Sequence, residues 1–222
     1  MVHLFLLVLI ASSMAKDLVF IGDSRTVGIA VYLFKFDYYE VTKYYGNGSN
    51  VVGTTARTYQ GHSVKAIAET GASYSQFTNP NKAVYRGIHT ALSASASGTI
   101  VLLWLGVNGL NDNATFQFYK NLATKYTKLK FYAISITGVV ESKSGMSNGS
   151  IKNFNSALKQ KINSAGLSNL KYKSILLNDD PTKVVMNGAV TLTINSSTTD
   201  TYGLHYYTNG YSAIVNAMLS GL

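Results

Sequence analysis

The sequence predicts an α/β fold, a three-layer α/β/α sandwich built on a mostly parallel sheet of about five strands. Two observations carry this. Short apolar runs rich in β-branched and aromatic residues recur along the chain, and segments with helical spacing lie between them. Strands that alternate with helices imply βαβ units, and such units need a parallel sheet covered on both faces. The clearest strand signals are 18–21, 100–105, 131–136 and 174–177, with a weaker one at 64–68. Helical spacing marks 83–92, 116–129, 151–162 and 211–219. Two stretches, 38–61 and 179–202, show no clear periodicity. They are read as irregular rims of the kind that border functional sites.

Bulk properties set the frame. A chain of 222 residues with 46% hydrophobic and 13% charged residues can bury the core of one domain. Residues 1–15 hold an apolar run too short to span a bilayer, closing on Ser13-Met14-Ala15. This reads as a signal peptide, leaving residues 16–222 as one secreted domain. No later apolar stretch is long enough to span a membrane, so no stable membrane insertion is expected after cleavage. Cysteine is absent, so the core rather than disulfides must hold the exported chain. Sequons begin at Asn47, Asn113, Asn148 and Asn195. The net charge of +9 is spread over helix faces rather than gathered in a block, and no nucleic-acid-binding module is recognisable.

In sheets of this kind the ligand site is built by loops that leave the carboxyl ends of the strands. The first such loop, Gly22-Asp23-Ser24, breaks a hydrophobic strand at glycine and puts serine at a helix entrance. There Ser24 can offer both a hydroxyl and a backbone N–H that no helical carbonyl accepts. Asp23 or Ser24 at that junction is equally a natural N-cap. A serine hydroxyl needs a base, and the chain has four histidines. His3 lies in the signal peptide, His89 within a helix and His62 in an unpatterned segment. His205 sits in a loop just before the last helix, within Gly203-Leu204-His205.

Four short blocks therefore stand in order: Gly22-Asp23-Ser24, the glycine of Thr70-Gly71-Ala72, Gly106-Val107-Asn108, and Gly203-Leu204-His205. Together they resemble the SGNH/GDSL family of serine hydrolases, and Gly-Asp-Ser-Arg-Thr-Val-Gly is similar to its bacterial branch. The resemblance implies a flavodoxin-like sheet, Ser24 as nucleophile, His205 as general base, and an oxyanion hole of Ser24, Gly71 and Asn108. It implies neither a metal nor a cofactor. That family places aspartate three residues before the histidine, where this chain has Tyr202. Three accounts stay open: Asp200 reaches His205 from further upstream, a backbone carbonyl orients the imidazole, or activity is impaired. The expected activity is hydrolysis of small acyl esters, above all O-acetyl groups on carbohydrate, so the partner is a small ester or an acylated polysaccharide. The alternative is a catalytically impaired glycan-binding or surface protein. A nucleotide or flavin binder is disfavoured, because no Gly-x-Gly-x-x-Gly or phosphate loop follows a strand.

Overall fold

A computed structural model describes residues 15–36 and 50–222. The signal-peptide reading, and with it His3, lies outside the described residues except for Ala15, as does the Asn47 sequon. The elements run β1 (Asp17–Gly22), α1 (Ser24–Tyr32), β2 (Asn50–Tyr59), β3 (His62–Glu69), α2 (Tyr74–Thr78), α3 (Ala83–Ser93), β4 (Ile100–Trp104) and α4 (Asp112–Lys125). They continue with β5 (Lys130–Ile134), α5 (Glu141–Ser144), α6 (Asn148–Ser164), β6 (Leu170–Lys173), β7 (Lys183–Met186), β8 (Ala189–Thr193) and α7 (Thr208–Leu219).

Among the described residues the main sheet has six strands in the order β2-β3-β1-β4-β5-β6. Five are parallel, and β2 joins antiparallel to β3. Among the parallel strands the second lies on one side of the first and the remaining three on the other, which is the flavodoxin-like order. Every residue of β4, Ile-Val-Leu-Leu-Trp, is buried, as a central strand covered on both faces requires. Helix α1 packs on β3 and against α7, α3 packs across β2 and β3, and α4 packs against α6. The chain therefore folds as an α/β sandwich around a mostly parallel sheet.

Three departures from the sequence reading have physical causes. The stretch 38–61 is not wholly irregular, because Asn50–Tyr59 forms the antiparallel edge strand. A tight turn at Gln60-Gly61, with φ of 49° and 78°, closes that hairpin. Likewise 179–202 contains the β7–β8 hairpin, turned at Asn187-Gly188 with φ of 52° and 81°. The strand expected at 174–177 is instead Leu170–Lys173, paired with β5. Its Leu-Lys-Tyr-Lys alternation suits an edge, where lysines discourage further strand pairing. The apolar Ile175 and Leu176 are buried beneath the small hairpin, where the Ile175 carbonyl accepts from the Val185 amide at 2.9 Å. A hairpin rather than the main sheet thus covers these two apolar side chains.

Candidate active site

The parallel register sets β1 between β3 and β4, with Gly22 opposite Ala68 on one side and Trp104 on the other. The loops after these three strands therefore emerge side by side at one sheet edge. Gly22 has no room for a side chain, since a Cβ there would lie 2.3 Å from the Trp104 carbonyl oxygen. Asp23 caps α1, its carboxylate accepting from the Arg25 amide at 3.1 Å. Asp23 is thus the N-cap, and Ser24 is the first helical residue. Burial pushes the Asp23 carboxyl above its ordinary range, opposed by the Arg25 charge and by the amides of Arg25, Gly106 and Val107.

Ser24 Oγ lies 2.9 Å from His205 Nε2, and His205 Nδ1 lies 2.8 Å from Asp200 Oδ2. Residues 181 positions apart in sequence thus meet in one hydrogen-bonded chain. Asp200 reaches the imidazole because its own loop folds back. The Asp200 amide donates to the His205 carbonyl at 2.8 Å, and the Gly203 amide donates to the Asp200 carbonyl at 3.0 Å. Gly203 takes φ +66°, a left-handed conformation that glycine adopts at little cost. The second carboxylate oxygen, Oδ1, accepts from the amides of Tyr202 and Leu204 at 3.1 Å and of His205 at 3.3 Å. Burial alone would raise the Asp200 carboxyl. The bond from His205 and the amides of Leu204 and His205 outweigh it and hold Asp200 below the usual carboxylate value. Tyr202, in the position where the resembled family has aspartate, points outward and is 69% exposed.

The other two oxyanion candidates stand on the flanking loops. Gly71 is exposed, adopts φ +71°, and borders open space where a Cβ would be. The Asn108 side-chain amide donates to the Ala72 carbonyl at 3.2 Å, tying the loop after β4 to the loop after β3. That contact uses one of its two N–H groups. The remaining histidines serve elsewhere. His62 accepts from the Lys16 amide at 3.2 Å at the amino end of β3. His89 meets the Tyr126 hydroxyl at 2.6 Å on α3. Among the described residues no cluster of potential metal ligands occurs.

A cavity of about 380 Å³ opens beside Ser24 and His205, between α1 and the start of α7. Val27, Gly28, Val31 and Tyr32 form one wall, Tyr206, Tyr207, Thr208 and Tyr211 the other, with Thr70 at the margin. Tyr211 packs directly on Gly28, where a Cβ would come within 2.2 Å of its ring. Four large hydrophobic residues are exposed among those described, and two of them, Tyr32 and Tyr207, line this cavity. Sequence reasoning passed over Arg25, Thr137 and Tyr206, which are buried behind the histidine. One signal was available for Arg25, because a cation in the first turn of a helix opposes the helix dipole and needs partners elsewhere.

No protein-family model matches the chain, and no curated protein matches it in sequence. Solved structures do resemble it. A lipase/acylhydrolase from Enterococcus faecalis superposes with a TM-score of 0.56 at 13% identity, covering 91% of this chain and 93% of that one. An acetyl-xylooligosaccharide esterase from Geobacillus gives 0.54 at 11% identity, covering 92% of each chain. An extracellular lipase from Streptomyces rimosus gives 0.50 at 15% identity, covering 92% of this chain and 98% of that one. At such low identity the likeness concerns the backbone, and it spans nearly the full length of each partner. The chain shares the fold of these lipase and esterase structures.

Proposed function

We propose that the chain is a secreted serine esterase that removes small acyl groups, above all O-acetyl, from carbohydrate through an acyl-enzyme on Ser24. The observation that carries this is the continuous Ser24–His205–Asp200 hydrogen-bonded chain at 2.9 and 2.8 Å. In this reading His205 Nε2 takes the Ser24 proton as Oγ attacks the ester carbonyl carbon. The developing oxyanion is met by the Ser24 N–H, the Gly71 N–H and the free N–H of the Asn108 amide. His205 then gives its proton to the departing alkoxide. Water attacks the acyl-enzyme with His205 again as base, releasing the acid and restoring Ser24. Asp200, fixed by three backbone amides, keeps the proton on Nδ1 and stabilises the imidazolium that forms.

The substrate class rests on the cavity and its rim. A space of about 380 Å³ is far larger than an acetyl group, so it can also take the alcohol portion of the ester. Tyr32 and Tyr207, exposed on the cavity wall, offer ring faces for sugar C–H surfaces and hydroxyls for hydrogen bonds. Export is supported by the apolar run at 1–15. The reading as an impaired binding module draws on Tyr202, and the 2.8 Å contact between Asp200 and His205 Nδ1 supports the esterase reading over it. Labelling with a fluorophosphonate tests the proposal, since only an activated serine reacts. Wild type should be labelled and Ser24→Ala should not, and acetylated xylan and p-nitrophenyl acetate should be hydrolysed. An unlabelled, inert wild type would refute it.

A further inference from the structure

His205 is held on both sides by a buried polar network that the chemistry above does not use. Arg25, next to the nucleophile, is 1% exposed, and its guanidinium donates to three carbonyls. Nε reaches the Leu204 carbonyl at 3.1 Å, Nη1 the Thr137 carbonyl at 2.7 Å, and Nη2 the Gly138 carbonyl at 3.0 Å. Nη1 also meets Thr137 Oγ1 at 3.3 Å. On the other flank of the histidine, the buried Tyr206 hydroxyl donates to the Gly138 carbonyl at 2.8 Å and lies 2.7 Å from Thr137 Oγ1. The guanidinium stands 5.3 Å from the Tyr206 ring centre and 5.9 Å from that of Trp104. Leu204 and Tyr206, the two neighbours of His205, are therefore tied to the same Thr137-Gly138 segment, one of them through Arg25.

Resting on the ester-hydrolase reading, the geometry points to Arg25 as a positioning residue that fixes the His205 turn against the Ser24 helix. The Asp200–His205 turn is closed by its own hydrogen bonds, so it keeps its internal shape without help. What those bonds cannot set is where the turn sits relative to α1. Arg25 supplies that link, because its backbone belongs to α1 while its Nε holds the carbonyl just before His205. The planar guanidinium meets the three carbonyls from three separate nitrogens, a spread that a lysine ammonium, with all its donors on one nitrogen, does not reproduce.

The test compares Arg25→Lys, Tyr206→Phe, their double variant and Leu158→Ala, a distant core truncation that reports stability alone. Arg25→Lys keeps the buried charge, and a sub-ångström to ångström drift of the imidazole should lower kcat about 10²-fold with KM nearly unchanged. Tyr206→Phe should lower kcat in the same manner, and the double variant should lose less than the product of the single losses, because both act on one alignment. A crystal structure of Arg25→Lys should show the Ser24–His205 separation opened beyond hydrogen-bond reach. Unchanged kcat in folded Arg25→Lys would overturn the inference. So would losses that only track the folded fraction, as in Leu158→Ala, or a crystal structure that retains the 2.9 Å contact. If wild type proves inert to fluorophosphonate, the esterase reading fails, while the Ser24–His205 distance in Arg25→Lys still decides the role of Arg25.

Discussion

Replacing Asp200 with asparagine isolates the group that departs from the resembled pattern. The carboxylate makes four hydrogen bonds, three from backbone amides to Oδ1 and one from His205 to Oδ2. Asparagine keeps an oxygen for the three amides but presents an NH₂ to the imidazole. His205 Nδ1 must then accept, which moves the ring proton to Nε2, where it points at Ser24 and leaves no base for the hydroxyl. The fall in kcat should approach about 10⁴-fold, close to 5.5 kcal/mol of transition-state stabilisation. Stability should suffer much less. Hydrogen bonds to a charged group are worth about 1.5–3 kcal/mol and neutral ones about 0.5–1.5, so exchanging one kind for the other at a partly exposed turn costs roughly 1–2 kcal/mol. The assay is kcat and KM on p-nitrophenyl acetate beside urea denaturation of both proteins. KM should barely move. A kcat ratio near one, measured on an active wild type, would refute the role of Asp200 and leave Ser24 and His205 as a dyad.

Asn108→Ala should fold normally, since what it removes is a hydrogen bond to the Ala72 carbonyl from an exposed residue, and should lower turnover about 10²–10³-fold in steady-state assays. Gly28→Ala gains about 0.5–1 kcal/mol of helix propensity but drives a Cβ to within 2.2 Å of the buried Tyr211 ring. Overpacking of that kind costs about 1–3 kcal/mol, so the melting temperature should fall. The depressed Asp200 carboxyl contributes stability that is complete above the ordinary aspartate value and is lost as pH falls through its lower folded-state value. The stability gap between wild type and Asp200→Asn should therefore narrow from about pH 4 downward, as read from denaturation midpoints across pH.

Local chemistry in the sequence determined the alternation of strands and helices, the glycine-broken strand that ends in Ser24, and the loop position of His205. These follow from apolar periodicity and turn residues, which act over a few positions and survive in any environment. The edge strands β2 and β6 were harder to read, because each mixes polar and apolar residues and is defined by its neighbour. Ile175 and Leu176 show the same dependence, since their apolar character fixed burial but not the partner that buries them. The reach of Asp200 to His205 was open to three accounts in the sequence. The folded turn brings the carboxylate within reach of the imidazole, because it gathers three amides that exist as a cluster only once Gly203 has turned the chain. The tether from Arg25 to Leu204 is more remote still. It joins residues 179 positions apart, and no local pattern can specify such a distance; only the packing of α1, the Thr137-Gly138 loop and the His205 turn around one buried guanidinium does so.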